Sequence, residues 1–185
     1  MKKVAVFFAD GFEEIEALTT VDILRRAKID VTLVSMKGIK EVYGAHKIAV
    51  VTERFFDDVN YEAIDMLVLP GGMPGTTRLA ESKPLQKLIQ KFYDNGKYVS
   101  AICAAPSILG NMGLLNGKKA TCYPGYEDKL KGATIVDEEA VVDGTIVTGR
   151  SMSSSVAFSL ALVEQLEGKE LADSIAKSVV YQSKQ

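Results

Sequence analysis

At 185 residues, with 47% apolar and 25% charged side chains, the chain is long enough for one ordinary domain with a full hydrophobic core. A formal net charge of −2 provides no field to gather nucleic acid or an anionic membrane, and no apolar run approaches the ~20 residues of a membrane span. Two cysteines, Cys103 and Cys122, without a C-x-x-C spacing, and a single histidine, His46, exclude a disulfide framework and leave no zinc ligand set, so neither metal nor cofactor is expected.

Lys2-Lys3 ahead of Val4–Ala9 has the charge order of a secretory leader. The apolar stretch is short and runs at once into Asp10, Glu13, Glu14 and Glu16, so it reads as a first buried strand, with the cytoplasm as expected location. Ile15, Leu18, Val21, Ile23 and Leu24 then recur at helical spacing over residues 15–27, and Val31–Ser35 is a second strand. Glu41–Arg54, with Val42, Ile48, Val50 and Val51 around Gly44, predicts a hairpin or small extra strand pair. Met66–Leu69 is a strand closed by Pro70-Gly71-Gly72, Leu85–Tyr93 an amphipathic helix ended by Asn95-Gly96, and Val99–Ile102 another strand. Apolar runs at 134–136, 141–142 and 146–147 around Asp143-Gly144 signal a second hairpin. Helices over Ser153–Leu166 and from Lys169 to about Val180 close the chain. Buried strands separated by helices predict a mostly parallel sheet covered on both faces, in one domain spanning residues 1–185.

In such a sheet the reactive groups gather beyond the C-terminal strand ends, and four polar, glycine-bearing segments lie there: 10–16, 70–75, 101–106 and 121–125. Cys103 stands between a strand and a helix expected near Ala104–Pro106, the logic of a nucleophile elbow. A helix N-terminus beside the sulfur favours thiolate. Position alone leaves a buried structural thiol as an equal alternative. Gly71-Gly72 offers unobstructed backbone N–H groups suited to an oxyanion, though a plain strand-to-helix turn explains it as well. Glu13 and Glu14 read as ordinary partners of the helix dipole. Glu16, flanked by Ile15, Ala17 and Leu18, is the carboxyl expected in a partly apolar pocket with a raised pKa, able to shuttle a proton. Cys122 reads as core, Tyr123 occupies the place where a histidine would complete a Cys–His pair, and Arg150 with Ser151 and Ser153–Ser155 reads as a helix cap ahead of an anion site.

Taken in order and spacing, G-F-E-E-I-E-A at 11–17, V-D-I-L-R-R-A at 21–27, V-L-P-G-G-M-P-G at 68–75 and A-I-C-A-A-P at 101–106 resemble the ThiJ/PfpI family of the class I glutamine amidotransferase-like superfamily, over about residues 3–180. The resemblance implies a flavodoxin-like three-layer α/β sandwich with an extra hairpin, and a homodimer. It matches Cys103 to the family's oxidation-prone cysteine, Glu16 to the carboxyl beside that sulfur, and Gly72 and Ala104 to the N–H groups facing the oxyanion. Gly71, Tyr123, His46 and Arg150 are further pocket candidates, His46 on a hairpin that can approach a partner's site. Tyr123 replaces a frequent histidine, and Gly149-Arg150-Ser151-Met152 replaces a more usual Arg-Gly-Pro.

The leading functional expectation is a cofactor-independent cysteine enzyme for reactive carbonyls, of glyoxalase or deglycase type, acting on small aldehydes or on glycated protein or nucleotide. A redox sensor or chaperone dimer switched at the cysteine is the non-enzymatic alternative. A thiol peptidase or amidase is disfavoured by Tyr123.

Overall fold

A computed structural model describes residues 1–182 of the chain. Its central sheet has seven strands in the spatial order β10-β11-β7-β6-β1-β2-β5. They are β1 (Lys3–Phe8), β2 (Asp30–Ser35), β5 (Arg54–Phe55), β6 (Met66–Leu69), β7 (Tyr98–Ile102), β10 (Ala140–Asp143) and β11 (Ile146–Gly149). All neighbours run parallel except β10 and β11, the antiparallel hairpin turned at Gly144. Val4–Phe8 and Met66–Leu69 are buried along their whole length, which is why these strands read as continuous apolar runs without alternation.

Two apolar cores flank the sheet. On one face α1 (Glu14–Arg26), α5 (Ser155–Glu167) and α6 (Lys169–Ser178) close over Val4, Val6, Phe8, Val68 and Val147. On the other, α3 (Lys83–Asp94) and α4 (Pro106–Asn111) cover Ala5, Phe7, Leu67, Leu69 and Val99, while α2 (Gly75–Glu81) adds Leu79. The fold is thus the flavodoxin-like arrangement of helices on both faces of a mostly parallel sheet. Helix α3 shows how sequence writes such an element. Ser82 caps it by accepting the Leu85 N–H at 3.3 Å, and Gly96 leaves it at φ +66°. Leu85, Leu88, Ile89 and Phe92 share the buried stripe, each contributing about 2 kcal/mol by leaving water.

Strands β3 (Glu41–Tyr43) and β4 (Ala49–Val51) form the expected extra hairpin as a two-stranded sheet of their own. The second expected hairpin forms as β10 and β11 around Gly144, with β11 also built into the central sheet against β7; the run at 134–136 lies outside it and supplies β9 (Thr134–Ile135), which pairs with β8 (Lys119–Ala120) in a separate small sheet. Helix α5 begins at Ser155, after a single 3-10 turn over Met152–Ser154. No helix among the described residues is long and apolar enough to cross a membrane.

Strand order reverses at β1, whose neighbours are β6 on one side and β2 on the other. The crevice at such a switch point, beyond the C-terminal strand ends, is where an open α/β sheet presents a site. Here it receives the ends of β1, β6 and β7.

Candidate active site

Three strand ends deliver the pocket. After β7 the chain turns at Cys103, whose φ of +66° lies in the left-handed region that a non-glycine residue rarely enters. The turn is held by Cys103 N–H donating to Gly149 O at 2.9 Å and by Cys103 O accepting Tyr123 N–H at 2.8 Å. Strain concentrated on a half-buried thiol at a strand end is the backbone signature of a nucleophile elbow.

After β6, Gly71 and Gly72 pass directly beneath that sulfur. A Cβ on Gly71 would stand 2.6 Å from Glu16 Oε2 and 2.7 Å from Cys103 Cβ, so the missing side chain is what lets carboxyl and thiol converge. Gly72 lies at φ +88° with the backbone of Gly11–Glu13 packed against the space a Cβ would need. The backbone N–H groups of Gly72 and Ala104 both reach the Cys103 sulfur.

After β1, α1 carries Glu16 into the same place. Its side chain is 1% exposed, Oε2 accepts the Gly71 N–H at 2.8 Å, and buried Oε1 has no nitrogen or oxygen partner. Burial pushes the Glu16 carboxyl up to about 7, against the pull of Cys103 and the Gly71 N–H, with the charge of Glu13 adding to the rise. Burial also pushes the Cys103 thiol up, followed by the charge and hydrogen bonding of Glu16, while the Ala104 and Gly72 N–H groups pull it down. This corrects the expectation of a thiolate favoured by the following helix: α4 has only six residues, and burial beside a carboxyl outweighs the N–H groups. What the geometry offers instead is a protonated thiol in contact with a carboxyl that exchanges its own proton near neutrality.

Of the other candidates, Tyr123 is joined to Cys103 through its backbone, and its half-exposed ring packs edge-on against Tyr126. His46 sits on the β3–β4 connection, with Nδ1 2.9 Å from Glu14 Oε2 and 3.8 Å from Glu13 Oε1. Arg150 pairs with Asp137, and the Ser154 cap position of α5 makes no side-chain cap hydrogen bond, so the capping role expected of the 150–155 segment is not realised. Cys122 is buried in the core as expected.

Glu14 was missed. It is buried, not a solvated dipole partner, because the absence of a Cβ on Gly44 leaves room for its carboxylate under the hairpin. There it accepts the His46 N–H at 2.7 Å as well as pairing with the ring. Burial opposes its ionisation, yet the His46 ring and nearby backbone N–H groups hold the Glu14 carboxyl below the usual range. The one sequence signal was Gly44 itself, within a hairpin that turns three residues later. Among the described residues, Glu13, Glu14 and His46 are also the one trio of such side chains whose polar atoms gather within 4.8 Å, and their mutual pairing accounts for the gathering.

A strained cysteine over a glycine pair, with a buried glutamate at a sheet switch point, defines a cysteine-centred α/β protein. The chain belongs to the DJ-1/PfpI family, whose model matches residues 2–165. Its sequence is 41% identical to DJ-1 homolog B of Arabidopsis thaliana over 97% of this chain, and 40% identical to homolog A over 95%. The chain spans less than half the length of those two plant proteins, 41% and 45% respectively. It is 35% identical to a protein of Pyrococcus horikoshii named a deglycase, covering 89% of this chain and 99% of that one. The structure of oxidized Toxoplasma gondii DJ-1 superposes with a TM-score of 0.94 at 35% identity, covering 99% of this chain and all of the other.

Proposed function

We propose that the protein is a cofactor-independent cysteine enzyme that converts reactive carbonyls, either small glyoxals or their adducts on protein or nucleotide. The observation that carries this reading is the buried Glu16 carboxyl, raised to about 7, against the Cys103 thiol, with one oxygen left free to exchange a proton. The deglycase name of the Pyrococcus relative, which matches over nearly its whole length, supports it.

With methylglyoxal the steps balance as follows. Glu16 carboxylate takes the Cys103 proton as sulfur adds to the aldehyde carbon, and returns it to the alkoxide, giving a hemithioacetal. Gly72 and Ala104 N–H groups receive the developing oxyanion. Glu16 then removes the C–H proton of that carbon to form an enediol and redelivers a proton to the adjacent carbon, leaving a thioester. Water cleaves the thioester to lactate and frees the thiol. Apart from the one water added, hydrogen passes only from one carbon to its neighbour, the first being oxidised as the second is reduced, so no redox cofactor is consumed.

A second reading is a cysteine redox switch. The same two N–H groups would donate to the oxygens of a sulfinate, and the solved structure of the Toxoplasma relative is of an oxidized form. A peptidase reading is weaker, because Tyr123 holds the usual histidine place and His46, the one histidine, is engaged by Glu14. A homodimer is part of the proposal: Ile15 and Leu18 on α1 and Ile48 and Val51 on the hairpin are exposed apolar residues of the kind a partner copy covers. The chain is read as one domain working in a reducing cytoplasm.

The deciding experiment incubates wild type, Cys103→Ser and Glu16→Gln with methylglyoxal, follows lactate, and records intact mass before and after peroxide. Lactate from wild type and its loss in both variants is the expected result. No wild-type turnover, with a clean gain of two oxygens at Cys103, replaces the enzyme by the switch.

A further inference from the structure

The hairpin bearing His46 is tied to the loop that shapes the reactive pocket. On the hairpin side, Gly11 N–H donates to Tyr43 O at 2.7 Å, Ala45 N–H to Phe12 O at 2.8 Å, and Tyr43 N–H to Asp10 Oδ1 at 2.9 Å. Glu14 completes the tie by holding both the backbone N–H and the ring of His46. On the pocket side of the same loop, Glu13 N–H donates to Gly71 O at 2.9 Å and Gly75 N–H to Gly11 O at 3.1 Å. The loop from Asp10 to Glu14 is therefore clamped between the hairpin and Gly71-Gly72.

The charges follow the same route. Among the described residues, the titratable groups facing His46 are Glu13 and Glu14 from the start of α1. Among the described residues, neither carboxylate has a Lys or Arg within ion-pair distance, so the imidazolium is their one counter-charge. Glu13 in turn faces inward and opposes the ionisation of Glu16.

We propose that His46 and Glu14 are positioning residues that couple the charge on the hairpin to the reactivity of Cys103. The imidazolium pairs with Glu13 and Glu14, keeps the hairpin docked on the pocket loop, and relieves the negative field at Glu16. When His46 loses its proton, the field at Glu16 becomes more negative, Glu16 retains its proton to higher pH, and less carboxylate is present to take the proton of Cys103. The coupling rests on Cys103 and Glu16 being the reactive pair.

His46 is the sole histidine, so its ring resonance in an NMR titration identifies itself. Wild-type His46 is expected to titrate above its ordinary value of 6.5, and Glu14→Gln to lower that midpoint. In parallel, the rate of Cys103 alkylation by iodoacetamide is followed from pH 5.5 to 9 with the labelled site read by mass. His46→Gln is expected to slow alkylation at pH 6.5 about two- to threefold and move the profile to higher pH, a size suited to exposed charges. Glu13→Gln is expected to move it to lower pH, and His46→Lys to restore the wild-type rate at pH 6.5. The His46→Gln difference should shrink in 1 M salt, which a packing defect would not do. Superimposable profiles for wild type and His46→Gln, or a His46 midpoint indifferent to Glu14→Gln, overturn the coupling alone. A wild-type Cys103 that resists iodoacetamide at every pH overturns the reactive pair and the coupling with it.

Discussion

The two cysteines of this chain sit in contrasting settings. Cys103 is half-buried and Cys122 buried, and burial is the first cause that raises each thiol, Cys122 to about 11. Cys122 belongs to the apolar core that includes Ile108 and Leu109 of α4, and the charges of Glu127 and Arg150 act on it in opposite directions. Cys103 stands at φ +66° with two backbone N–H groups on its sulfur and a carboxyl against it. Burial by itself makes a thiol inert. What distinguishes Cys103 is a partner able to take its proton and donors able to receive the charge that follows.

The sharpest break of that contrast is Cys103→Ser, expected to lower lactate formation from methylglyoxal about 10³-fold or more, while Cys122→Ala leaves the rate within about twofold. Equal losses in the two variants would dissolve the distinction.

Glu16→Gln tests the partner. Loss of the proton carrier should lower kcat on the order of 10²-fold with little change in KM. The same substitution should stabilise the fold at alkaline pH. Between the ordinary 4.5 and about 7, folded Glu16 keeps a proton that the unfolded chain has lost, so stability falls as pH rises through that window and stays lower above it. The full difference is on the order of 3 kcal/mol. Urea midpoints for wild type and Glu16→Gln should therefore coincide near pH 4 and separate by pH 8, with the variant the more stable.

Gly71→Ala tests the convergence of the two groups. A methyl placed 2.6 Å from Glu16 Oε2 and 2.7 Å from Cys103 Cβ must push them apart, with an expected cost of about 1–3 kcal/mol and a fall in Cys103 alkylation rate. Alkylation at the wild-type rate would show that the contact is dispensable. The smallest effect belongs to Cys122→Ala, about 1 kcal/mol from a small core cavity, measured by denaturant midpoint, with Cys103 labelling unchanged.

Much of this molecule can be read without coordinates. The alternation of apolar strands with amphipathic helices is local, so β1, β6, β7 and α3 were legible to within two residues of their observed bounds. The elbow at Cys103, the glycine pair and Glu16 were legible as strand-end features and as a resemblance. Three things were not. The pairing of β11 with β7, in addition to its hairpin partner β10, depends on which edge the chain reaches after α4. The rise of the Cys103 thiol depends on burial, which the small residues Ala104 and Ala105 did not announce. Glu14 looked like its exposed neighbours in any helical first turn until Gly44 was found above it.

By itself, then, the sequence determined which segments are strands and helices and which side chains stand at the strand ends, because periodicity and turn chemistry act over a few residues. Only the tertiary structure decided which of those side chains touch. Glu16 meets Cys103 across Gly71, and Glu14 meets His46 beneath Gly44, because distant backbones approach closely where no Cβ intervenes. The proton affinities of those groups follow from that approach and from the water it excludes.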